Sequence, residues 1–144
     1  MTGAEIGKLG ERLAEAFLEK QGVRILAQNY SVHGGEIDLV GFSRGGLLYF
    51  EVKTRTGTGW GTPAEAIHRE KLRRVERAAR EFARAHVSGG RVPVFYPFGL
   101  RLLRRVRYQR IDGIEVYLHA DGSLQKINRI EDMGYEIRQH ARED

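Results

Sequence analysis

The sequence contains no cysteine, only three prolines and a single tryptophan. The absence of cysteine excludes disulfides, thiol catalysis and thiolate metal sites. No apolar run approaches the roughly 20 residues that a membrane-spanning helix needs. The first twenty residues are amphipathic and lack the charged-then-apolar order of an export signal. We therefore expect a cytoplasmic protein that does not enter the membrane.

The length and composition are those of an ordinary globular protein. The chain has 144 residues, of which 41% are hydrophobic and 30% are charged. This length is typical of one domain, so we predict a single domain over residues 1–144. Its polar end, from about residue 135, is predicted to be frayed.

Positive charge is concentrated in one part of the chain. The formal net charge is +5, but residues 66–110 contain 13 Lys/Arg against 3 Asp/Glu, a net of +10, which leaves −5 for the rest. Most of these basic residues are arginines, whose planar guanidinium suits bidentate contact with phosphate. A solvated basic surface would have the same composition, but the concentration favours a polyanionic partner.

Apolar periodicity predicts an alternation of helices and strands. A first helix is expected from about residue 4 to 21 and a strand over residues 23–30. Strands over 36–42 and 47–55, joined by the turn "SRGG", predict a hairpin. Residues 98–110 fit either a strand or a short helix, and residues 113–130 predict two strands around an Asp-Gly turn. The predicted apolar stripe of the first helix consists of Ile6, Leu9, Leu13, Ala16 and Phe17.

A second long helix is predicted from near Pro63 to about His86. Its apolar stripe includes Leu72 and Val75, and its other face is predicted to align five arginines without intervening acids. That face is either simply solvated or suited to a phosphate backbone. The order of elements predicts an α/β class bordering on α+β, with a mixed sheet flanked by helices. The five arginines are Arg69, Arg73, Arg77, Arg80 and Arg84.

Charged residues interrupt the two most apolar predicted strands. Asp38 lies within "EIDLV", and Glu51 and Lys53 lie at the end of "LLYFEVK". If the strands pair with Asp38 beside Glu51, two carboxylates and an ammonium meet on one patch. Such carboxylates repel each other and lose hydration, a conflict that a divalent cation resolves. Alternatively, Glu51 and Lys53 lie on an edge strand and pair with each other or with Arg55.

The order of acidic strand, hairpin, E-x-K strand and helix resembles the restriction-endonuclease-like, PD-(D/E)xK superfamily. "GEIDLV" followed by "YFEVKTR" looks more narrowly like the YraN-like family of bacterial proteins, which is similar in fold to archaeal Holliday-junction resolvases. The resemblance covers most of the chain through "GKLGERLAEAFLEKQG", "WGTPAEAI", "RIDGIEV" and "INRIEDMGY". This sequence departs from the pattern at Ile37, where the superfamily has proline, at Gly113, and in an insertion over residues 95–109.

By that resemblance, Asp38 and Glu51 are ligands of Mg²⁺ or Mn²⁺ and Lys53 is the catalytic lysine. Glu11 corresponds to a glutamate near the metal, or is an ordinary surface residue. Arg55 and the five helix arginines would contact nucleic acid.

The resemblance implies a metal-dependent endonuclease that hydrolyses phosphodiester bonds in DNA, preferably branched or structured DNA. A homodimer would suit the cutting of paired strands. Two alternatives remain at this point. One is a nucleic-acid-binding module that retains the nuclease fold with little or no catalysis, and the other is a basic scaffold bound to RNA or ribosomes.

Overall fold

The computed structural model describes residues 1–57 and 69–133 of the chain. A 3₁₀ turn over Pro97–Gly99 separates the fourth and fifth strands. The predicted start of the second helix near Pro63 and the polar end from about residue 135 lie outside the described residues. The elements are α1 (Gly3–Lys20), β1 (Arg24–Val32), β2 (Gly35–Ser43), β3 (Gly46–Thr56), α2 (Arg69–His86), β4 (Arg91–Phe95), β5 (Arg101–Arg105), β6 (Tyr108–Leu118) and β7 (Leu124–Ile130).

The main sheet is mixed and has the strand order β1-β2-β3-β6-β7. Its neighbours are antiparallel except β3 and β6, which are parallel. The parallel pair requires a crossover, and α2 lies within the connection between these two strands. The predicted mixed sheet flanked by helices is therefore confirmed. β4 and β5 form a separate two-stranded sheet, so the ambiguous stretch that follows α2 contains a strand rather than an α-helix.

A different helix packs against each face of the main sheet. On one face, Ala14 and Leu18 of α1 pack with Phe50 of β3. On the other face, Val75 and Phe82 of α2 pack in a second cluster that includes Tyr49. Successive β3 side chains alternate between these clusters, as strand geometry requires. β3 is thus the central strand, and charged residues at its end lie directly beneath a helix.

The predicted hairpin between β2 and β3 is confirmed, and its turn has a simple physical basis. Arg44 and Gly45 both have positive φ, at 49° and 82°. Two consecutive positive φ values are typical of a two-residue type I′ turn, whose twist matches that of the flanking strands. The turn sets the β2–β3 register, in which Val40 pairs with Tyr49.

The predicted stripe of α1 is wrong in part, because Ala16 is exposed. The buried positions are instead Gly10, Ala14 and Leu18. A Cβ at position 10 would lie 1.7 Å from the Thr54 hydroxyl, so only glycine allows this close approach of helix to strand. The bulky side chains therefore flank the contact, and Glu11 follows the buried glycine directly.

Asp112 joins the end of the sheet through a buried ionic network. Its side chain is fully buried and binds Arg110, with Nε to Oδ1 at 2.7 Å, and Arg129, with Nη2 to Oδ2 at 3.0 Å. The backbone N–H of Asp132 also donates to Asp112 Oδ1 at 2.9 Å. Both carboxylate oxygens are thus satisfied by charged or backbone donors, as a buried carboxylate requires.

Replacing Asp112 by alanine should destabilise the protein by about 3–5 kcal/mol, because two largely buried guanidinium groups lose their counter-charge. Urea unfolding measures this loss. Glu131→Ala is a matched control, since Glu131 is 63% exposed and its contact with Arg110 is longer, at 3.7 Å. That change should cost less than about 1 kcal/mol. Equal effects of the two changes would contradict the assigned role of Asp112.

Candidate active site

The candidate site lies where β2 and β3 separate. Their backbone pairing runs from the turn as far as Leu39 and Phe50. One residue further along, Asp38 faces β3, and its Oδ2 accepts a hydrogen bond of 2.7 Å from the Val52 N–H. A side-chain carboxylate thus takes the place of a strand carbonyl. The divergence of the strands creates the space in which charged side chains can collect.

Glu51 is the most enclosed charged group at this fork. Only 1% of the residue is exposed, and its Oε1 lies 2.6 Å from the Lys71 Nζ of α2. Its Oε2 is also buried and has no hydrogen-bond donor among residues 1–57 and 69–133. Burial, followed by the Asp38 carboxylate, raises the pKa of Glu51 to about 7. A buried carboxyl with an unsatisfied oxygen is well placed to hold a proton or a cation.

Asp38 and Glu51 approach each other closely, as the sequence predicted. Each carboxyl influences the pKa of the other, so the two side chains lie close together. Burial raises the pKa of Asp38, whereas the Val52 N–H, the Glu51 side chain and Lys71 lower it. The two carboxyls therefore form one coupled acidic pair whose negative charge is only partly compensated.

Glu11 lies near this pair but on a different element. Burial raises the pKa of Glu11, and the Asp38 carboxylate raises it further. A side-chain hydrogen bond with Asn29 lowers it, and β1 is locally left-handed at that residue, with φ of 48°. Glu11 thus experiences the field of Asp38. Within residues 1–57 and 69–133, however, no three histidine, cysteine, aspartate or glutamate side chains are grouped so that they could hold a metal ion.

Lys53 and Arg55 continue along β3 beyond the acidic pair. Both are partly buried, and strand alternation puts them on the same face as Glu51. Lys53 has no carboxylate within 4 Å among the described residues, so the suggested Glu51–Lys53 pair is absent. Arg55 Nε is also buried, and it has no hydrogen-bond acceptor among the described residues. The register partner of Glu51 on β6 is Gly113, so no side chain of β6 stands directly beside Glu51.

The predicted arginine face of α2 exists, with one correction. All five arginines are exposed, but the face is not free of acids. Arg84 forms an ion pair with Glu81 one turn earlier on the helix. The two residues are three positions apart, which brings their side chains together on the helix. The prediction of a face without acids was therefore wrong at this position. The exposed arginines are Arg69, Arg73, Arg77, Arg80 and Arg84.

Lys71 is the site residue that the sequence analysis missed. It is the lysine of α2 that neutralises Glu51, and it also feels the charge of Asp38. A signal was present, because Lys71 lies at i, i+4 and i+7 spacing with Val75 and Ala78. A lysine on an otherwise apolar helix stripe needs a buried counter-charge, and Glu51 supplies it.

The donor set at the fork is compatible with a small divalent cation. Two carboxylates that repel each other, one with a buried and unsatisfied oxygen, are typical of sites that bind Mg²⁺ together with several waters. Lys71 now supplies the compensating charge, so a bound cation would have to displace its ammonium from Glu51.

Comparison with known proteins identifies the family. Residues 10–116 match the sequence profile described as "Uncharacterised protein family UPF0102". The chain belongs to UPF0102. It is 31% identical over 126 residues to a UPF0102 protein of Caldanaerobacter subterraneus subsp. tengcongensis, covering 87% of this chain and 90% of that relative. A UPF0102 protein of Clostridium perfringens is 32% identical over 127 residues, or 88% of this chain and 91% of the relative.

A shorter match has a higher identity. A UPF0102 protein of Renibacterium salmoninarum is 48% identical over 85 residues, which is 59% of this chain and 72% of that protein. These findings confirm the predicted YraN-like resemblance at the level of the UPF0102 family. Within the described part of this UPF0102 protein, no helix is both long enough and apolar enough to cross a membrane.

Without divalent cations, the UPF0102 protein should lose stability as the pH rises from about 4.5 to about 7. Across this window folded Glu51 keeps a proton that the unfolded chain releases, because its pKa is about 7 in the fold and 4.5 otherwise. The loss should approach about 3 kcal/mol. Urea unfolding in EDTA at several pH values measures it.

Glu51→Gln keeps the shape of the side chain and removes the titration, so its stability should fall less across the same window. Titratable groups away from the acidic pair are the same in both proteins, so their contributions cancel in the comparison. Parallel pH profiles of the two proteins would show that Glu51 does not hold a proton in the fold.

Proposed function

We propose that this UPF0102 protein is a divalent-cation-dependent endonuclease that hydrolyses phosphodiester bonds in structured DNA. The observation that carries the proposal is the meeting of Asp38 and Glu51 in the fork between β2 and β3. A buried and a partly buried carboxyl at close range destabilise the fold when both are ionised, and a cation held between them would remove that cost.

The proposed fold is restriction-endonuclease-like, of the PD-(D/E)xK superfamily. Its support is the order of elements, in which a helix precedes an antiparallel three-stranded meander, a second helix follows, and β6 returns parallel to β3. The acidic pair lies on the second and third strands of this meander, as the motif resemblance predicts. Similarity to archaeal Holliday-junction resolvases is part of the same proposal.

The protein's own groups would share the catalytic work. Asp38 and Glu51 would hold Mg²⁺ or Mn²⁺, and Glu11 would add negative charge nearby. Such a cation, when bound, makes water more acidic and offsets the negative charge of the phosphodiester. Lys53 would place its ammonium, which no described carboxylate neutralises, beside the attacked phosphate, where it stabilises developing charge.

Lys71 would have two positions in this mechanism. In the described structure its ammonium neutralises Glu51 at 2.6 Å. Its side chain is 41% exposed, so it can move away from Glu51 toward solvent when the acidic pair is otherwise compensated. From there it would contact the substrate backbone together with the exposed arginines of α2.

The arginine face of α2 favours recognition of shape over sequence. Arginines that contact phosphates position a duplex but do not read its bases. The helix crosses the same sheet face that carries Glu51, so a backbone seated on α2 passes close to the fork. Arg55, on the same strand as Glu51, would add a further phosphate contact.

A second function is favoured by one observation. Lys71 already neutralises Glu51, and the described residues contain no group of three metal-binding side chains. A carboxylate that a lysine already neutralises is expected in a DNA-binding module that has lost catalysis. The two functions predict different behaviour toward Mg²⁺ and Mn²⁺.

Cleavage of a labelled four-way junction tests the main proposal. We expect products with Mg²⁺ or Mn²⁺ and none with EDTA. Asp38→Asn should abolish cleavage, and Lys53→Ala should slow it by about 100-fold or more, because each removes a group that acts on the phosphate. Junction affinity in EDTA should change less than about 3-fold in both variants.

Glu36→Gln is the control for this assay, since Glu36 is exposed on the same strand as Asp38. It should retain most of the activity. Junction binding by the wild-type protein without any cation-dependent product would instead support the binding module.

Replacing Lys71 by methionine should tighten Mn²⁺ binding by about 10-fold, because a competing positive charge is removed from Glu51. Titration calorimetry at pH 8 measures the affinity. Arg74→Met is the matched control, as Arg74 is exposed on the same helix, and it should change the affinity little. Weaker Mn²⁺ binding by Lys71→Met would contradict the role assigned to Lys71.

A further inference from the structure

The hairpin of β4 and β5 combines positive charge with exposed apolar side chains. Residues 91–107 contain five arginines and no acidic residue. All five residues of β5 are exposed, including Leu102 and Leu103. Apolar side chains that are held in solvent on a basic ribbon are typical of a surface with a partner.

The base of this hairpin is anchored to the main domain. Val92 and Val94 are buried against Phe42 of β2. The Arg107 N–H donates to the Gly45 carbonyl at 2.8 Å, which ties the end of the hairpin to the β2–β3 turn. The hairpin is therefore a fixed projection of the domain.

The opposite face of the ribbon points away from these contacts. In the β4–β5 register, Arg91 pairs with Arg105 and Phe95 pairs with Arg101. Strand alternation places these four residues on the face opposite Val92 and Val94. Phe95 is 64% exposed, so the outer face presents arginines and an aromatic ring together.

The tip of the hairpin holds a phenylalanine fully in solvent. Phe98 lies in the turn Pro97–Gly99, has φ of 66° and is fully exposed to solvent. A left-handed conformation is unfavourable for a bulky residue. Nothing in the described part of the fold covers the ring, so its exposure is not explained by packing.

We propose that the β4–β5 hairpin is a second DNA-binding element, in which arginines contact phosphates and Phe98 inserts between exposed bases. The inference rests on the proposed DNA binding but not on catalysis. Apolar side chains on DNA-binding proteins insert between base steps, and a two-stranded ribbon fits a DNA groove. A branch point offers unstacked bases, which makes insertion less costly there than in an intact duplex.

The position of the hairpin supports this assignment. It follows α2 after four residues, so the basic ribbon begins near the end of the helix that carries the arginines. From Lys71 to His86 the helix covers about 22 Å at ~1.5 Å per residue. This length equals about six base pairs at ~3.4 Å each, so one duplex arm can contact the acidic pair and the hairpin together.

A second copy of the chain is a less suitable partner for the outer face. Symmetric pairing of two such faces would bring Arg91, Arg101 and Arg105 against the same arginines. Like charges placed directly opposite each other are destabilising. Phosphates complement this charge, whereas another copy of the ribbon repels it.

Fluorescence anisotropy with a four-way junction and an intact linear duplex tests the proposal. The measurements use the Asp38→Asn protein with EDTA, so that catalysis does not enter. Phe98→Ala should weaken junction binding by about 10-fold, since stacking on a base is worth ~1–3 kcal/mol, and should affect the linear duplex little. Leu124→Ala is the matched control, since Leu124 is 46% exposed on β7.

Two further measurements separate charge from stacking. Arg101→Ala with Arg105→Ala should weaken binding to both DNAs and reduce the salt slope by about 2, which the surface control Arg12→Ala with Lys20→Ala should not. The fluorescence of 2-aminopurine at the branch point should change when the protein with Phe98 binds, because the ring inserts beside this base, and should change much less with Phe98→Ala.

Junction affinity and 2-aminopurine signal that are equal in Phe98→Ala and Leu124→Ala would overturn the proposal. A wild-type dimer that Phe98→Ala dissociates, without loss of DNA affinity, would also overturn it and assign the tip to self-association. Loss of junction binding in Phe98→Ala, in a protein that cleaves no DNA, would support the hairpin while rejecting the nuclease.

Discussion

The structure depends on how a buried and a partly buried carboxyl are compensated at the fork of β2 and β3. Asp38 and Glu51 are drawn together by the hairpin register, and their charges oppose each other. The Val52 N–H and the Lys71 ammonium compensate these negative charges. Lys71 lies on α2, which is distant in sequence from β2. The local arrangement of the site therefore requires the packing of α2 against β2 and β3.

Asp112 and the acidic pair at the fork differ in how their carboxylate oxygens are satisfied. Asp112 is fully buried, and two arginines and a backbone N–H satisfy both of its oxygens. Such a network holds the strands together and leaves no capacity for another ligand. At the fork, by contrast, one oxygen of Glu51 has no donor within the described part of the chain, and the compensating lysine is partly exposed. The first centre is structural, and the second retains capacity for chemistry.

α2 combines three tasks in eighteen residues. Its apolar stripe fills the core, Lys71 completes the acidic pair, and its exposed arginines extend toward the β4–β5 hairpin. The close approach of α1 at Gly10 serves the site from the other face, because it brings Glu11 within the field of Asp38. Both helices thus pack in the core and also place a charged residue near the acidic pair.

Local patterns were sufficient for most of the secondary structure. The turn at Arg44 and Gly45 and the end of α2 follow from glycine conformation and helical periodicity, which neighbouring residues determine. The stripe of α1 was misassigned because periodicity favours bulky residues, whereas the real contact depends on the absence of a side chain at Gly10. The hairpin after α2 was ambiguous because its exposed strand lacks the alternation that one-sided burial creates.

The sequence by itself determined the family resemblance, the β2–β3 hairpin and the presence of two carboxylates and a lysine in apolar strands. Only the tertiary structure decided that Lys71, and not Lys53, neutralises Glu51, and that Arg84 has an acidic neighbour. The physical reason is that strand alternation and turn geometry act over a few residues. The partner of a buried charge is set instead by which helix packs over it, and that depends on the whole chain.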